Sequence, residues 1–125
     1  MIHGIGTDIV RVARLDEALA RHGARLAERI LAEPERVAWQ AARQPSRHLA
    51  KRFAAKEAFG KALGTGVAAP ATLHAVRVGH DPLGKPVFEY APALAAYLAE
   101  RGLVAHLSLS DEADYVLAFA VIEQP

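Results

Sequence analysis

Arg47-His48-Leu49-Ala50-Lys51-Arg52-Phe53-Ala54-Ala55-Lys56-Glu57-Ala58-Phe59-Gly60-Lys61-Ala62-Leu63 lies at the centre of the 125-residue chain, and its reading decides how the rest is arranged. Leu49, Ala50, Phe53, Ala54, Ala58 and Ala62 recur at spacings of three and four, which places them on one side of a long helix. Gly64 supplies its end. Ser46, after Pro45, is placed to cap its start.

Upstream of this helix, Ile2 to Val10 reads as a short strand in which Gly4 and Gly6 permit close backbone approach. A helical period runs from about Val12 to Arg21, with Leu15, Ala18 and Leu19 on one side, and His22-Gly23 stops it. Leu26, Ile30 and Leu31 continue helical spacing up to Glu33-Pro34. Pro34 then suits the first position of a further helix carrying Val37 and Trp39. Downstream of Gly64-Thr65-Gly66 the period changes to two. Leu73 to Val78, Pro86 to Tyr90, His106 to Leu109 and Tyr115 to Glu123 read as strands. Asp81-Pro82-Leu83-Gly84-Lys85 and Asp111-Glu112-Ala113-Asp114 are the turns within two hairpins. Pro92 to Arg101 is a helix between them, closed by Gly102. The expected fold is α+β: one domain over residues 1–125, with a long central helix, smaller helices and an antiparallel sheet joined by the first strand.

Composition narrows the function classes. A hydrophobic fraction of 52% suffices for a core and argues against disorder. There is no cysteine, which removes disulfides, thiolate metal sites and cysteine nucleophiles, and fits a cytoplasmic protein. No signal peptide is readable in Met1-Ile2-His3-Gly4-Ile5-Gly6. The longest apolar run, Tyr115 to Ile122, covers 8 residues, against about 20 for a membrane-spanning helix. The net charge of +1 hides an asymmetry: residues 1–66 hold 12 Lys/Arg against 7 Asp/Glu, residues 67–125 hold 3 against 7. A basic half attracts phosphates or an acidic partner, or is a solvated helical surface. Nucleic acid is disfavoured, since no dense basic run is interleaved with aromatics.

Two carboxylates stand in surroundings unusual for surface acids. Asp8 ends the first strand among apolar neighbours, and Glu57 shares the broad helix face of Phe53, Ala54 and Ala58. A carboxylate on a core-facing stripe is costly unless a cation or hydrogen bonds satisfy it. Two such acids brought together repel, and a hard divalent cation cancels the repulsion. Magnesium accepts one or two protein carboxylates and completes its shell with water and substrate phosphates. The everyday alternative makes Asp8 a capping or turn residue and pairs Glu57 with Lys61 four residues on. Arg52 and Lys56 share a face, and with Lys61 they either balance a bound diphosphate or form the solvated side of an amphipathic helix.

The glycines fit no common phosphate loop. Gly-x4-Gly-Lys-Ser/Thr is absent, and Gly4-x-Gly6 lacks its third glycine because position 9 is Ile. Gly64 and Gly66 serve as a helix stop and turn, which also lets a nucleotide approach closely. None of the six histidines forms a close pair suited to zinc. His106, opening Leu107-Ser108-Leu109-Ser110, offers a phosphate donor or a proton-transfer group, or simply a strand histidine. Ser108 and Ser110 have no readable triad partners.

In order along the chain, these signals resemble one family. Gly4-Ile5-Gly6-Thr7-Asp8-Ile9-Val10 is similar to the amino-terminal motif of the holo-acyl-carrier-protein synthases, the 4'-phosphopantetheinyl transferases of acyl carrier proteins. Arg52-Phe53-Ala54-Ala55-Lys56-Glu57-Ala58-Phe59-Gly60-Lys61-Ala62 resembles their second motif. Gly64-Thr65-Gly66, Gly84-Lys85-Pro86 and His106-Leu107-Ser108-Leu109-Ser110 fall where that family has its glycine turn, hairpin and late strand. The metal positions show no departure.

The resemblance implies magnesium held by Asp8 and Glu57 with the diphosphate of coenzyme A. It places Arg52, Lys61, Gly64, Gly66, Lys85, Pro86 and His106 near the nucleotide, and makes Glu57 and Lys61 the catalytic pair. A carrier-protein serine would attack the β-phosphorus and adenosine 3',5'-bisphosphate would leave, in support of fatty acid biosynthesis. Such transfer depends on positioning and charge neutralisation more than on covalent help from the enzyme. Either Glu57 or a water on the metal would take the serine proton. The resemblance further implies a cytoplasmic homotrimer with active sites between subunits. It docks the acidic carrier on the first helix through Arg14, Arg21 and Arg25. A magnesium-dependent nucleotide hydrolase and a non-catalytic module for acidic helical partners are the rival classes.

Overall fold

In the computed structural model, which describes residues 1–125, the long helix α4 (Pro45–Leu63) is the axis of the molecule. Buried residues lie all round it rather than on one stripe: Leu49, Ala54, Ala58 and Ala62, but also Ala50, Ala55, Phe59 and Leu63. A helix apolar on every side must be covered on every side. The chain achieves this with elements in the order β1 (Ile2–Arg11), α1 (Val12–His22), α2 (Ala24–Ile30), α3 (Glu33–Gln40), α4, β2 (Val76–His80), β3 (Pro86–Tyr90), α5 (Pro92–Glu100), β4 (Val104–Asp111) and β5 (Tyr115–Glu123).

The strands form two antiparallel sheets rather than one. β1, β5 and β4 make a three-stranded sheet in that order, with Asp8 opposite Ala118 and Leu107 opposite Ala120. β2 and β3 form a separate hairpin. The all-round burial of α4 supplies the reason: each sheet covers a different flank. On the hairpin flank Phe59 meets Phe88 edge-on, with ring centroids 5.0 Å apart, and Tyr90 at 5.7 Å. Burying an aromatic of this size contributes about 1.5–3 kcal/mol.

Other departures are local. α4 begins at Pro45, so Ser46 lies inside the first turn, and Gln44, the residue before the helix, makes no side-chain cap. Proline fits the first helical position, where its missing N–H costs nothing. β2 starts at Val76, not Leu73, because Thr72 closes a turn by accepting from the backbone N–H of Ala75 on both its carbonyl and its hydroxyl. β4 is longer than expected at both ends, reaching Val104 and Asp111. Gly64 ends α4 in the left-handed region at φ 93°, its N–H bonded to the carbonyl of Gly60. No helix is long and apolar enough to cross a membrane.

Candidate active site

Period-two alternation sends Gly4, Gly6, Asp8 and Val10 to the face of β1 that looks at α4, and Ile5, Thr7 and Ile9 to the opposite face. Strand and helix touch backbone to backbone. A methyl group at Gly6 would press on the carbonyl of Ala58, and one at Gly4 on that of Ala62. The glycines let β1 lie directly on α4, and this approach carries Asp8 to the helix turn that bears Glu57 and Lys61.

Three charges converge there. Lys61 crosses to β1, donating from Nζ to the carbonyl of Thr7 at 2.9 Å and to Asp8 Oδ1 at 3.3 Å. Its side chain is 53% exposed and that of Asp8 18%. Burial and then the neighbouring Asp8 charge raise the carboxyl pKa of Glu57, while Lys61 opposes the shift. Both everyday alternatives give way. Asp8 caps nothing, since Arg11 precedes α1 and makes no side-chain cap. Lys61 bonds to β1 rather than to Glu57. Two mutually repelling carboxylates at a partly open edge, with one lysine beside them, form a donor set that suits magnesium shared with a phosphate ligand.

The other cations of α4 depart from the sequence reading. Lys56 is only 1% exposed and Arg52 is also buried, so neither belongs to a solvated face. Both point to Glu35, a buried acid on α3. Lys56 Nζ donates to Glu35 Oε1 at 2.5 Å, and Arg52 Nε lies 3.6 Å from Glu35 Oε2. Burial lowers the pKa of both bases, with Glu35 pulling the other way. Nothing local advertises Glu35, because a glutamate in the first turn of a helix is ordinary capping chemistry.

Of the remaining candidates, Gly64 and Gly66 directly follow α4, while Lys85, Pro86, His106 and the arginines lie on other elements. Lys85 is exposed at the β2–β3 turn, followed by half-buried Pro86. There Asp81 Oδ1 accepts the N–H groups of Leu83 and Lys85 at 2.9 Å each. Gly66 follows Gly64 in the turn after α4, its N–H bonded to the carbonyl of Gly60 at 3.0 Å. His106 pairs with Val121 on the outer face of the three-stranded sheet, opposite to the face of Asp8, and its Nε2 lies 2.6 Å from Glu123 Oε2. Arg14, Arg21 and Arg25 are exposed, but only Arg14 and Arg21 belong to the first helix, since α1 ends at His22 and Arg25 lies on α2. Arg21 and Arg25 line an open basic hollow with Arg29 and Arg36.

A family model described as the 4'-phosphopantetheinyl transferase superfamily matches residues 4–120. The chain belongs to that superfamily. Within it, the chain falls among the holo-[acyl-carrier-protein] synthases. The protein of that name from Azoarcus sp. is 72% identical over 123 residues, covering 98% of both chains. The crystal structure of the Neisseria meningitidis synthase superimposes with a TM-score of 0.94 at 49% identity, covering 98% of this chain and 99% of that one. A Bacillus anthracis synthase solved in complex with CoA (3',5'-ADP) gives a TM-score of 0.84 at 32% identity, covering 100% and 99%. In this phosphopantetheinyl transferase fold, Asp8, Glu57 and Lys61 are the charged residues that the first strand and central helix bring together.

Proposed function

We propose that this chain is a holo-[acyl-carrier-protein] synthase that transfers 4'-phosphopantetheine from coenzyme A to a serine of an apo-acyl carrier protein. The product is holo-carrier protein for fatty acid biosynthesis, with adenosine 3',5'-bisphosphate released. The observation carrying this reading is the convergence of Asp8, Glu57 and Lys61 at the β1–α4 edge. Asp8 and Glu57 would hold magnesium, which supplies charge neutralisation at the diphosphate when bound. Lys61 is exposed and adjacent, and the ammonium donor not engaged by Thr7 and Asp8 can reach a non-bridging oxygen and stabilise charge that grows as the P–O bond breaks. Glu57, at the same edge as Asp8 and Lys61, is the carboxylate placed to accept the serine proton.

Two features support subunits sharing each site. The outer face of the three-stranded sheet exposes Ile5, Ile9, Leu117 and Phe119, an apolar patch of the kind that marks an interface. His106 lies on that same face, pointing away from Asp8 of its own chain, so it reaches a site only across such an interface. A homotrimer built on this face would let His106, Lys85, Pro86, Gly64 and Gly66 contribute to coenzyme A binding from two chains, whereas Arg52, buried against Glu35, would not reach the nucleotide. Arg14, Arg21 and Arg25 offer an acidic carrier protein a basic landing surface. The absence of cysteine suits a cytoplasmic enzyme.

The test is to mix the protein with magnesium, coenzyme A and apo-carrier protein and to weigh the carrier by mass spectrometry. A gain of one phosphopantetheine per carrier is expected. Phosphate-ester cleavage with an unmodified carrier would establish a hydrolase instead, and no turnover would leave a binding module.

A further inference from the structure

Glu57 is held by no hydrogen bond of its own; burial and two neighbouring charges act on it. Its direction therefore depends on how α4 is turned about its axis. The residue before it carries the anchor. All three donors of the Lys56 ammonium are engaged: with the carbonyl of Ile30 at 2.8 Å, the carbonyl of Leu73 at 2.7 Å and Glu35 Oε1 at 2.5 Å. These acceptors come from the end of α2, the loop before β2 and the first turn of α3. Glu35 is equally committed, accepting the N–H of Ala32 on Oε1 at 2.9 Å and that of Val78 on Oε2 at 3.1 Å.

A buried ion pair is a poor way to gain stability, since well-packed apolar residues of similar volume serve as well or better. What it supplies is direction. Consecutive helix residues are about 100° apart around the axis, so fixing Lys56 toward Glu35 fixes the heading of Glu57. Lys61, bonded to Thr7 and Asp8, ties the same helix to β1 on the other side. Reacting groups tolerate misplacement of only about 0.5 Å or 10–20°.

We propose that Lys56 and Glu35 are positioning residues of the transfer reaction: a buried clamp that sets the rotation of α4 and aims Glu57 at Asp8. The inference rests on the function proposed above. Its test uses two variants of the full chain, Glu35→Leu with Lys56→Met as a volume-matched pair, and Glu35→Gln alone, which keeps an acceptor oxygen. Three properties are measured: thermal unfolding, Mn2+ affinity by electron paramagnetic resonance without coenzyme A, and steady-state transfer to apo-carrier protein.

The clamp predicts a folded double variant with both KM values within about twofold, and with kcat and Mn2+ affinity each lowered about 10–100-fold. Glu35→Gln should show the same pattern, more weakly. Folded variants with unchanged kcat and Mn2+ affinity overturn the proposal. So does failure of both variants to fold, because the pair would then serve the fold rather than the aim. The parent protein in the same assay separates the readings: if it modifies no carrier, the proposed function fails, while the Mn2+ comparison still reports on the clamp.

Discussion

Replacing Gly6 by alanine should disable the reaction without removing any group that takes part in it. The new methyl would meet the carbonyl of Ala58, the backbone nitrogen of Ala62 at 2.8 Å and Cβ of Lys61 at 2.9 Å. All three belong to the helix backbone, or to its first side-chain carbon, so none can swing aside. β1 must lift from α4 by about 1 Å, and overpacking of this kind costs about 1–3 kcal/mol. For a chain of this size that lowers Tm by about 4–12 °C. Asp8 follows Gly6 on the same strand face and moves with it, away from Glu57. A displacement of about 1 Å near the reacting groups costs about 100-fold in rate.

Initial rates of carrier modification by mass spectrometry, measured well below Tm, would read the effect. Gly4→Ala is the control, with its methyl against the carbonyl of Ala62 but four residues from Asp8. It should destabilise the fold to a similar degree and lose only about tenfold in rate. A folded Gly6→Ala protein with parental rate and Tm would refute the idea that glycine contact brings the acids together.

Glu57→Gln should lower metal-dependent turnover by at least about 100-fold with Tm nearly unchanged, checked by calorimetry beside the transfer assay. Arg21→Glu should raise KM for the carrier about tenfold, leave KM for coenzyme A within about twofold, and flatten the dependence of carrier affinity on salt. His48 provides a pH test. Burial, then the charges of Arg52 and Lys51, lower its pKa from 6.5 to about 4. Between these values the unfolded chain binds the extra proton, so this contribution is complete above pH 6.5 and lost as pH falls toward 4. The full shift would correspond to about 3 kcal/mol, reduced to about 1 kcal/mol because the His48 side chain keeps some contact with solvent. His48→Leu should flatten denaturant stability across that window; an unchanged pH profile would remove His48 as the cause.

The long helix was legible because its apolar spacing extends over many turns, and the two acids because their neighbours made them conspicuous. Asp8 follows Gly4 and Gly6 at period two, and this spacing alone places all three on one strand face. The direction of Lys56 and Arg52 was not legible. Lysine and arginine on a helix usually face water, and only the position of Glu35, 21 residues before Lys56 in sequence, turns them inward. The second sheet was hidden for a similar reason. Alternation shows where strands are, but β2 and β3 pair only with each other because Phe88 and Tyr90 are drawn to Phe59, on a different flank of α4. Ser46 misleads because Pro45 takes the first helical position and pushes the start of the helix back.

Crystals grown with coenzyme A and Mn2+ would test the shared metal directly through anomalous scattering at the manganese edge. The expected result is a single strong peak at the β1–α4 edge with carboxylate oxygens of both Asp8 and Glu57 about 2.0–2.2 Å away. An ion held by only one of these acids, or a peak elsewhere with the β1–α4 edge vacant, would contradict the account.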